Sequence, residues 1–385
     1  MSDADAPPET RNPDADETGE DQQRPRLSAG KKLAFAGVAC VLVVAGLELV
    51  GRLAGMPSGA MRTLSKLGPA DQETFESTVG MWQPGFEGRI TWPIEVAYDV
   101  SINRLGFRGD EVRREKTPGV TRILCIGDST TFGSHVDDPD TYPAQLQARL
   151  RERGARVEVI NGGHPAWSIS DEHRFLVERA MVMKPDLVLL LFCDNDPPGL
   201  ESLDGSRGPY ARKLKEIREG RSLADSLRFY SALGEMETRL AIAIKMARNK
   251  QREHHLAPAE ISEEQWSRYS QAFGGLVETC RAAKVPVVAA AFPQIQESED
   301  VEQRAETKVA AIASAAGVPF VPIAARFRAA EAKGAKLYNL PADTHANAEG
   351  NGIIARAIAE ALIARELVPV KPSTARDETG SSKTR

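Results

Sequence analysis

The 385-residue chain has only four cysteines, Cys40, Cys125, Cys193 and Cys280. Their spacing offers no zinc site, no redox pair and no disulfide framework. Basic residues are not in excess: 49 Lys and Arg stand against 54 Asp and Glu, for a net charge of −5. That balance leaves no electrostatic footprint for nucleic acid. Histidines are also few, and His135 and His173 lack metal-ligand spacing to carboxylates or to each other, so no metal and no cofactor is expected. There is no internal repeat, and only one long apolar run. What remains is length enough for one large domain or two smaller ones with a sizeable core.

The apolar run comes early. Residues 1–30 are rich in Asp, Glu, Pro, Gln and Arg, and they cannot bury enough surface to fold. Lys31 and Lys32 then precede an uncharged run from Leu33 to Leu47, extended through Glu48, Arg52 and Leu53. Glu48 and Arg52 stand four apart and can pair on a helix, so residues 31–54 are expected to form a transmembrane anchor. No small-x-small cleavage site follows it, which argues against a removed signal peptide. Arg24, Arg26, Lys31 and Lys32 outnumber the basic residues just after the span. The amino terminus is therefore expected in the cytoplasm and the rest outside it, in a periplasm or at a cell surface.

Residues 56–118 follow as an irregular membrane-proximal region with short β-prone pieces such as Glu95 to Val100. The turn from Asn103 to Gly109, with its spaced glycines and one aromatic, is expected to dock on the main domain. From 119 to 368 strands and helices alternate: strands at 121–126, 157–160, 187–192, 287–292 and 319–323, and helices at 142–153, 171–183, 263–283, 302–316 and 348–365. An insertion near 197–258 has little strand character, and 218–250 within it reads as helical. Residues 369–385 read as a loose polar tail. Strands separated by helices imply right-handed crossovers and a parallel sheet covered on both faces.

The chemistry-bearing residues fall at strand ends. Ile123 to Ile126 is a buried strand that runs straight into Gly127-Asp128-Ser129-Thr130, and open parallel sheets place ligands at such carboxyl ends. Gly163 and Asn195 follow two further strands, and Asp343 and His345 precede the last helix. Ester cleavage by a serine needs a base, a group that orients the base, and donors for the oxyanion. His345, Asp343, the Ser129 and Gly163 amides and the Asn195 side chain supply that set. Asp194 and Asp196 imitate a glycosidase carboxylate pair, but no second partner is evident. The serine elbow of α/β-hydrolases is absent, because Ser129 is followed by Thr130-Thr131.

At these residues the sequence resembles the SGNH, or GDSL, hydrolase superfamily. Gly127-Asp128-Ser129-Thr130 matches its first block, Asn161-Gly162-Gly163 its second, Asp194-Asn195-Asp196 its third and Asp343 to Gly350 its fifth. The resemblance implies a flavodoxin-like, three-layer α/β/α domain with Ser129 as nucleophile and His345 as base. It also implies oxyanion donors at Ser129, Gly163 and Asn195. The anchor, the Asn103–Gly109 turn and Thr141-Tyr142-Pro143 resemble bacterial membrane-anchored members. Two positions depart from the pattern. Cys193 stands where glycine is usual, either narrowing the site or packing beneath it. Asp343 lies two residues before His345 rather than three, a form similar to exported acetyltransferase-type members.

The expectation is an extracytoplasmic serine esterase acting on short acyl esters of a small molecule or glycan, with no nucleic-acid partner. O-acyl transfer to an envelope polysaccharide, or an inactive glycan-binding or assembly protein, are the alternatives. Asp128, Cys193, His164 and Trp167 are candidate pocket residues; a structural role is preferred for His164 and turn formation for Asp128, while packing and sugar stacking weigh equally for Trp167.

Overall fold

A computed structural model describes residues 28–56, 82–90, 96–165, 167–199, 231–251, 261–293, 299–339 and 344–370. By internal packing the chain divides into two units, residues 1–50 and 51–385. In the first lies most of helix α1 (Ala29–Leu53), which is long and apolar enough to cross a membrane, as a signal sequence also would be. At about 1.5 Å per residue its 25 residues suffice for the hydrocarbon core.

The second unit is built on a parallel sheet. Strands β3 (Thr121–Gly127), β4 (Val157–Asn161), β5 (Leu187–Phe192), β6 (Val287–Ala291) and β7 (Phe320–Val321) pair in the order β4-β3-β5-β6-β7, all parallel. That is the flavodoxin-like order, with the first sheet strand inside and the second at an edge. Alternate side chains of each strand enter opposite layers. Ile123, Cys125, Leu187, Leu189 and Leu191 pack into one core, with helices α3 (Tyr142–Glu152) and α10 (Ala348–Ala364). Leu124, Ile126, Val188, Leu190 and Phe192 pack into the other, with α4 (Ile169–Phe175) and α7 (Glu263–Ala282). Strands buried on both faces explain the unbroken apolar runs in the sequence.

Most expected elements are found within a few residues of their anticipated bounds. The expected helix 171–183 is regular only to Phe175 and continues as a wider π turn, Leu176–Ala180, and a 3₁₀ turn, Met181–Met183. The last sheet strand is shorter than expected, and α9 (Ala324–Glu331) arises where no helix was anticipated. Of the insertion, α6 (Ala232–Gln251) is described, and 200–230 and 252–260 lie outside the described residues.

A separate antiparallel hairpin, β1 (Glu87–Ile90) with β2 (Tyr98–Ser101), belongs to the expected membrane-proximal region. Trp82, Phe86, Ile90, Tyr98, Val100 and Ile102 form its core together with Phe132, three residues after Ser129. This region is thus packed onto the site rather than merely joined to it.

Candidate active site

Parallel pairing sends the carboxyl ends of β3, β4 and β5 to one edge of the sheet, and each carries a candidate group. After β3 the chain turns at Gly127, where a Cβ would stand 2.1 Å from Thr131 Oγ1 and 3.1 Å from Leu191 O. Asp128 then caps the short helix α2 (Ser129–Phe132) through Oδ1, which accepts the Thr130 amide at 2.8 Å. Gly133, at φ +86°, ends it in the left-handed region. Ser129 is held at the start of this one-turn helix. Its Oγ lies 2.7 Å from His345 Nε2 and 3.0 Å from Asp128 Oδ2. The hydroxyl has one proton: donated to His345 it is set for base-assisted attack, and donated to Asp128 it leaves the imidazole as donor. Asp128 therefore does more than form the turn.

His345 is presented by a segment fixed at several points. Its carbonyl accepts the Asn339 amide at 3.0 Å, and Asn347 caps α10 by accepting the Gly350 amide at 3.0 Å. Asn351 accepts the Tyr142 amide at 3.0 Å and donates to Ala346 O at 3.0 Å, joining α10 to α3. A Cβ on Gly350 would meet Leu337 O at 2.4 Å, so that close approach requires glycine. The His345 ring meets the ring of His135 edge-on at 5.3 Å. His135 is buried and adopts φ +68°, a conformation few non-glycine residues hold. Asp343, the expected orienting carboxylate, lies outside the described residues.

The expected oxyanion donors differ in their surroundings. Gly163 presses its Cα on helix α2: a Cβ there would lie 2.1 Å from the Phe132 amide nitrogen. Its own amide already donates to Asn161 Oδ1 at 3.0 Å. Asn195 sits in the turn after β5, half-buried, with Oδ1 buried and without a hydrogen-bond partner. That turn is closed by Asp196, whose Oδ2 accepts the Cys193 amide at 3.1 Å while its own amide donates to Cys193 O at 3.0 Å. Cys193 is buried beneath the site, its thiol 3.7 Å from Thr130 Oγ1. Burial, then the charges of Asp128, Asp194 and Asp196, push that thiol well up, so it stays protonated and packs. Burial and the neighbouring Asp128 also raise Asp194, against a lowering by His345.

His164 and Trp167 do not line an open pocket. His164 is stacked between two indoles, Trp82 at 4.0 Å and Trp167 at 4.2 Å between ring centroids, with all three rings buried. A tryptophan 3% exposed offers no face to a sugar, so packing, the preferred role of His164 and one of two weighed for Trp167, is what both residues do. Burial pushes His164 down to about 3 from an ordinary 6.5, which keeps the ring neutral between its neighbours. Trp82 Nε1 also donates to Gly163 O at 3.4 Å, fixing the second block from the hairpin side.

Arg108, from the turn expected to dock, is buried and uses all five of its donors. Nε meets Asp138 Oδ1 at 2.7 Å, Nη1 meets the carbonyls of Phe132 and Gly133, and Nη2 those of Asp99 and Val136. The guanidinium thus ties hairpin, helix α2 and following loop together. Sequence reasoning assigned no site role to Arg108 or Trp82. A charged or aromatic residue beside a turn reads as surface, and only the fold shows where it is buried. Among the described residues no group of His, Cys, Asp and Glu could hold a metal ion.

A serine beside a histidine at the carboxyl edge of a flavodoxin-like sheet, with glycine and asparagine turns on the adjoining strands, defines the SGNH class of α/β/α proteins. Residues 125–353 match the GDSL-like lipase/acylhydrolase family, and the chain belongs to it. Similar solved structures include a lipase/acylhydrolase from Enterococcus faecalis, 13% identical with a TM-score of 0.40, covering 65% of this chain and 98% of that one. A lipolytic protein of the G-D-S-L family from Desulfitobacterium hafniense is 14% identical with a TM-score of 0.39, covering 62% of this chain and 98% of that one. None of the curated proteins compared with the chain matches it.

Proposed function

We propose that this chain is a serine esterase that cleaves short acyl esters through an acyl-serine intermediate. The observation that carries the reading is the 2.7 Å approach of His345 Nε2 to Ser129 Oγ. Ser129 Oγ attacks the ester carbonyl as its proton passes to His345 Nε2. The oxyanion is met by the Ser129 amide and the Asn195 side chain. Gly163 contributes only by sharing the amide proton it gives Asn161, so its weight is the smallest of the three. As the intermediate collapses, His345 returns the proton to the leaving alkoxide, and the carbonyl carbon stays bonded to Ser129 Oγ. Water, deprotonated by the same imidazole, then attacks the acyl carbon, and the imidazolium returns that proton to Ser129 Oγ as the acyl–oxygen bond breaks and the acid leaves. Asp343 is assigned to orienting that imidazole.

Helix α1 is assigned to anchoring the chain, with the basic residues before it held in the cytoplasm and the esterase unit outside. Detergent-solubilised full-length protein tests the enzymatic reading. It should turn over p-nitrophenyl acetate and be labelled by a fluorophosphonate at Ser129. Absence of turnover, or a label on another residue, ends it.

A further inference from the structure

Behind the asparagine turn lies a group of polar atoms that the esterase mechanism does not use. Glu172, on α4, is fully buried, and neither carboxylate oxygen has a hydrogen-bond partner. Asp196, at the start of helix α5 (Asp196–Gly199), is equally buried, and its Oδ1 is unpartnered although Oδ2 closes the turn. The Tyr269 hydroxyl, on α7, is the third such group. The three elements that carry them pack against one another. By contrast Asp171, next to Glu172, accepts at Oδ2 from both the amide and the hydroxyl of Ser168. Past Phe175, α4 widens into the π turn Leu176–Ala180, a form frequent at functional sites.

Two desolvated carboxylates on elements that pack against each other are not both ionised, because neither charge is solvated and each repels the other. One added proton converts a carboxylate acceptor into an O–H donor, which two ionised, acceptor-only carboxylates lack. We propose that Glu172 and Asp196 share one proton, and that this proton holds the Cys193–Asp196 turn, making Glu172 a positioning residue for Asn195.

The electrostatic surroundings agree. Burial, then Asp128 and Asp171, push Glu172 well up, and burial, then Glu172, Asp128 and Asp194, do the same to Asp196. Tyr269 is raised by burial and by both carboxyls, and Tyr142 on α3 and the Cys193 thiol face the same negative field. Arg174 opposes it only at Asp171, and His345 at Asp194. The groups that act on the pair among the described residues are Asp128, Asp171 and Asp194, all acidic, so the shared proton is the charge that the cluster lacks. The sign follows. The pair is intact at neutral pH, and on the alkaline side the second carboxyl ionises, the two charges repel, and Asn195 loses its seat.

The relevance to Asn195 rests on the esterase reading, and the test separates the two. Infrared difference spectra of the full-length protein in detergent, between neutral and alkaline pH, should show loss of a protonated-carboxyl stretch that Glu172→Gln lacks. That band needs no substrate, so it decides the pair even if no ester is turned over. For turnover of p-nitrophenyl acetate, the wild type should fall about tenfold per pH unit once the pair ionises, while Glu172→Gln falls less than about twofold over that interval. Should Glu172→Gln fail to fold, the wild-type band alone decides whether a protonated carboxyl is present. No such band, or rate profiles that superimpose, overturns the proposal.

Discussion

Ser129 Oγ and His345 Nε2 lie 2.7 Å apart although 216 positions separate them in the chain. No local preference produces that contact. It follows from β3 delivering the serine at one sheet edge and from the Asn347 and Asn351 side chains fixing the start of α10 beside it. Ser129→Ala should lower ester turnover on the order of 10⁴-fold or more, and His345→Ala by a similar amount. The double variant should be no worse than either single one, since the two act as a unit. A double variant slower by the product of the two effects would show that they act separately. Circular dichroism on each protein checks that the fold is retained.

Asn195→Ala tests the oxyanion assignment independently of the nucleophile. Losing one donor of this kind costs roughly 10²–10³ in kcat. With substrate binding made elsewhere, KM should change little. A rise in KM at unchanged kcat would place Asn195 in substrate binding instead.

Arg108 carries a structural prediction. Its five donors meet one carboxylate and four backbone carbonyls from three segments, all within 3.1 Å. A lysine has three donors and no planar fork, so Arg108→Lys leaves buried carbonyls unsatisfied. At about 1–3 kcal/mol for each such group, the loss should be about 3–5 kcal/mol in urea unfolding. A loss below about 1 kcal/mol would mean that the hairpin is not fastened through this residue.

Much of this was legible in advance, for identifiable reasons. The flavodoxin-like sheet followed from apolar runs such as Leu187–Phe192 alternating with helical periods, because strands buried on both faces leave that pattern. Ser129 and Asn195 were singled out because turn residues at strand ends are where such sheets hold ligands, and His345 because its segment before the last helix supplies the base that a serine needs. Gly163 was legible for a different reason from the one the structure displays. It was expected as a donor, yet its amide is engaged by Asn161 and its missing Cβ is what lets β4 approach Phe132. His164 and Trp167 were candidates for the pocket, and the contribution of Trp82 from a distant, irregular region was not visible. Burial of one residue by another far away in sequence leaves no local period to read.

Gly163→Ala distinguishes those two roles. With the Phe132 amide nitrogen 2.1 Å and Thr131 C 2.5 Å from the new Cβ, backbone must move, because no flexible side chain is there to give way. The variant should lose about 3 kcal/mol of stability, the upper end of overpacking costs, together with activity. A stable but slow variant would favour the donor role over the packing role.

The stacked His164 gives a prediction with a defined sign. Burial lowers it to about 3 from 6.5, so the folded protein holds the ring neutral where the unfolded chain would take up a proton. Its contribution is complete above pH 6.5 and is lost progressively as pH falls toward about 3. Glu172 and Asp196, raised by burial, act in the opposite sense and favour the fold in acid, so the wild-type curve alone mixes both effects. Comparison with His164→Phe separates them, because phenylalanine keeps a ring between Trp82 and Trp167 but cannot take up a proton. Urea midpoints measured from neutral to acidic pH should converge or cross in favour of the variant, by up to about 4–5 kcal/mol in the most acidic range. Parallel curves would mean that the wild-type ring takes up its proton while still stacked, and that the two indoles accommodate an imidazolium as readily as an imidazole.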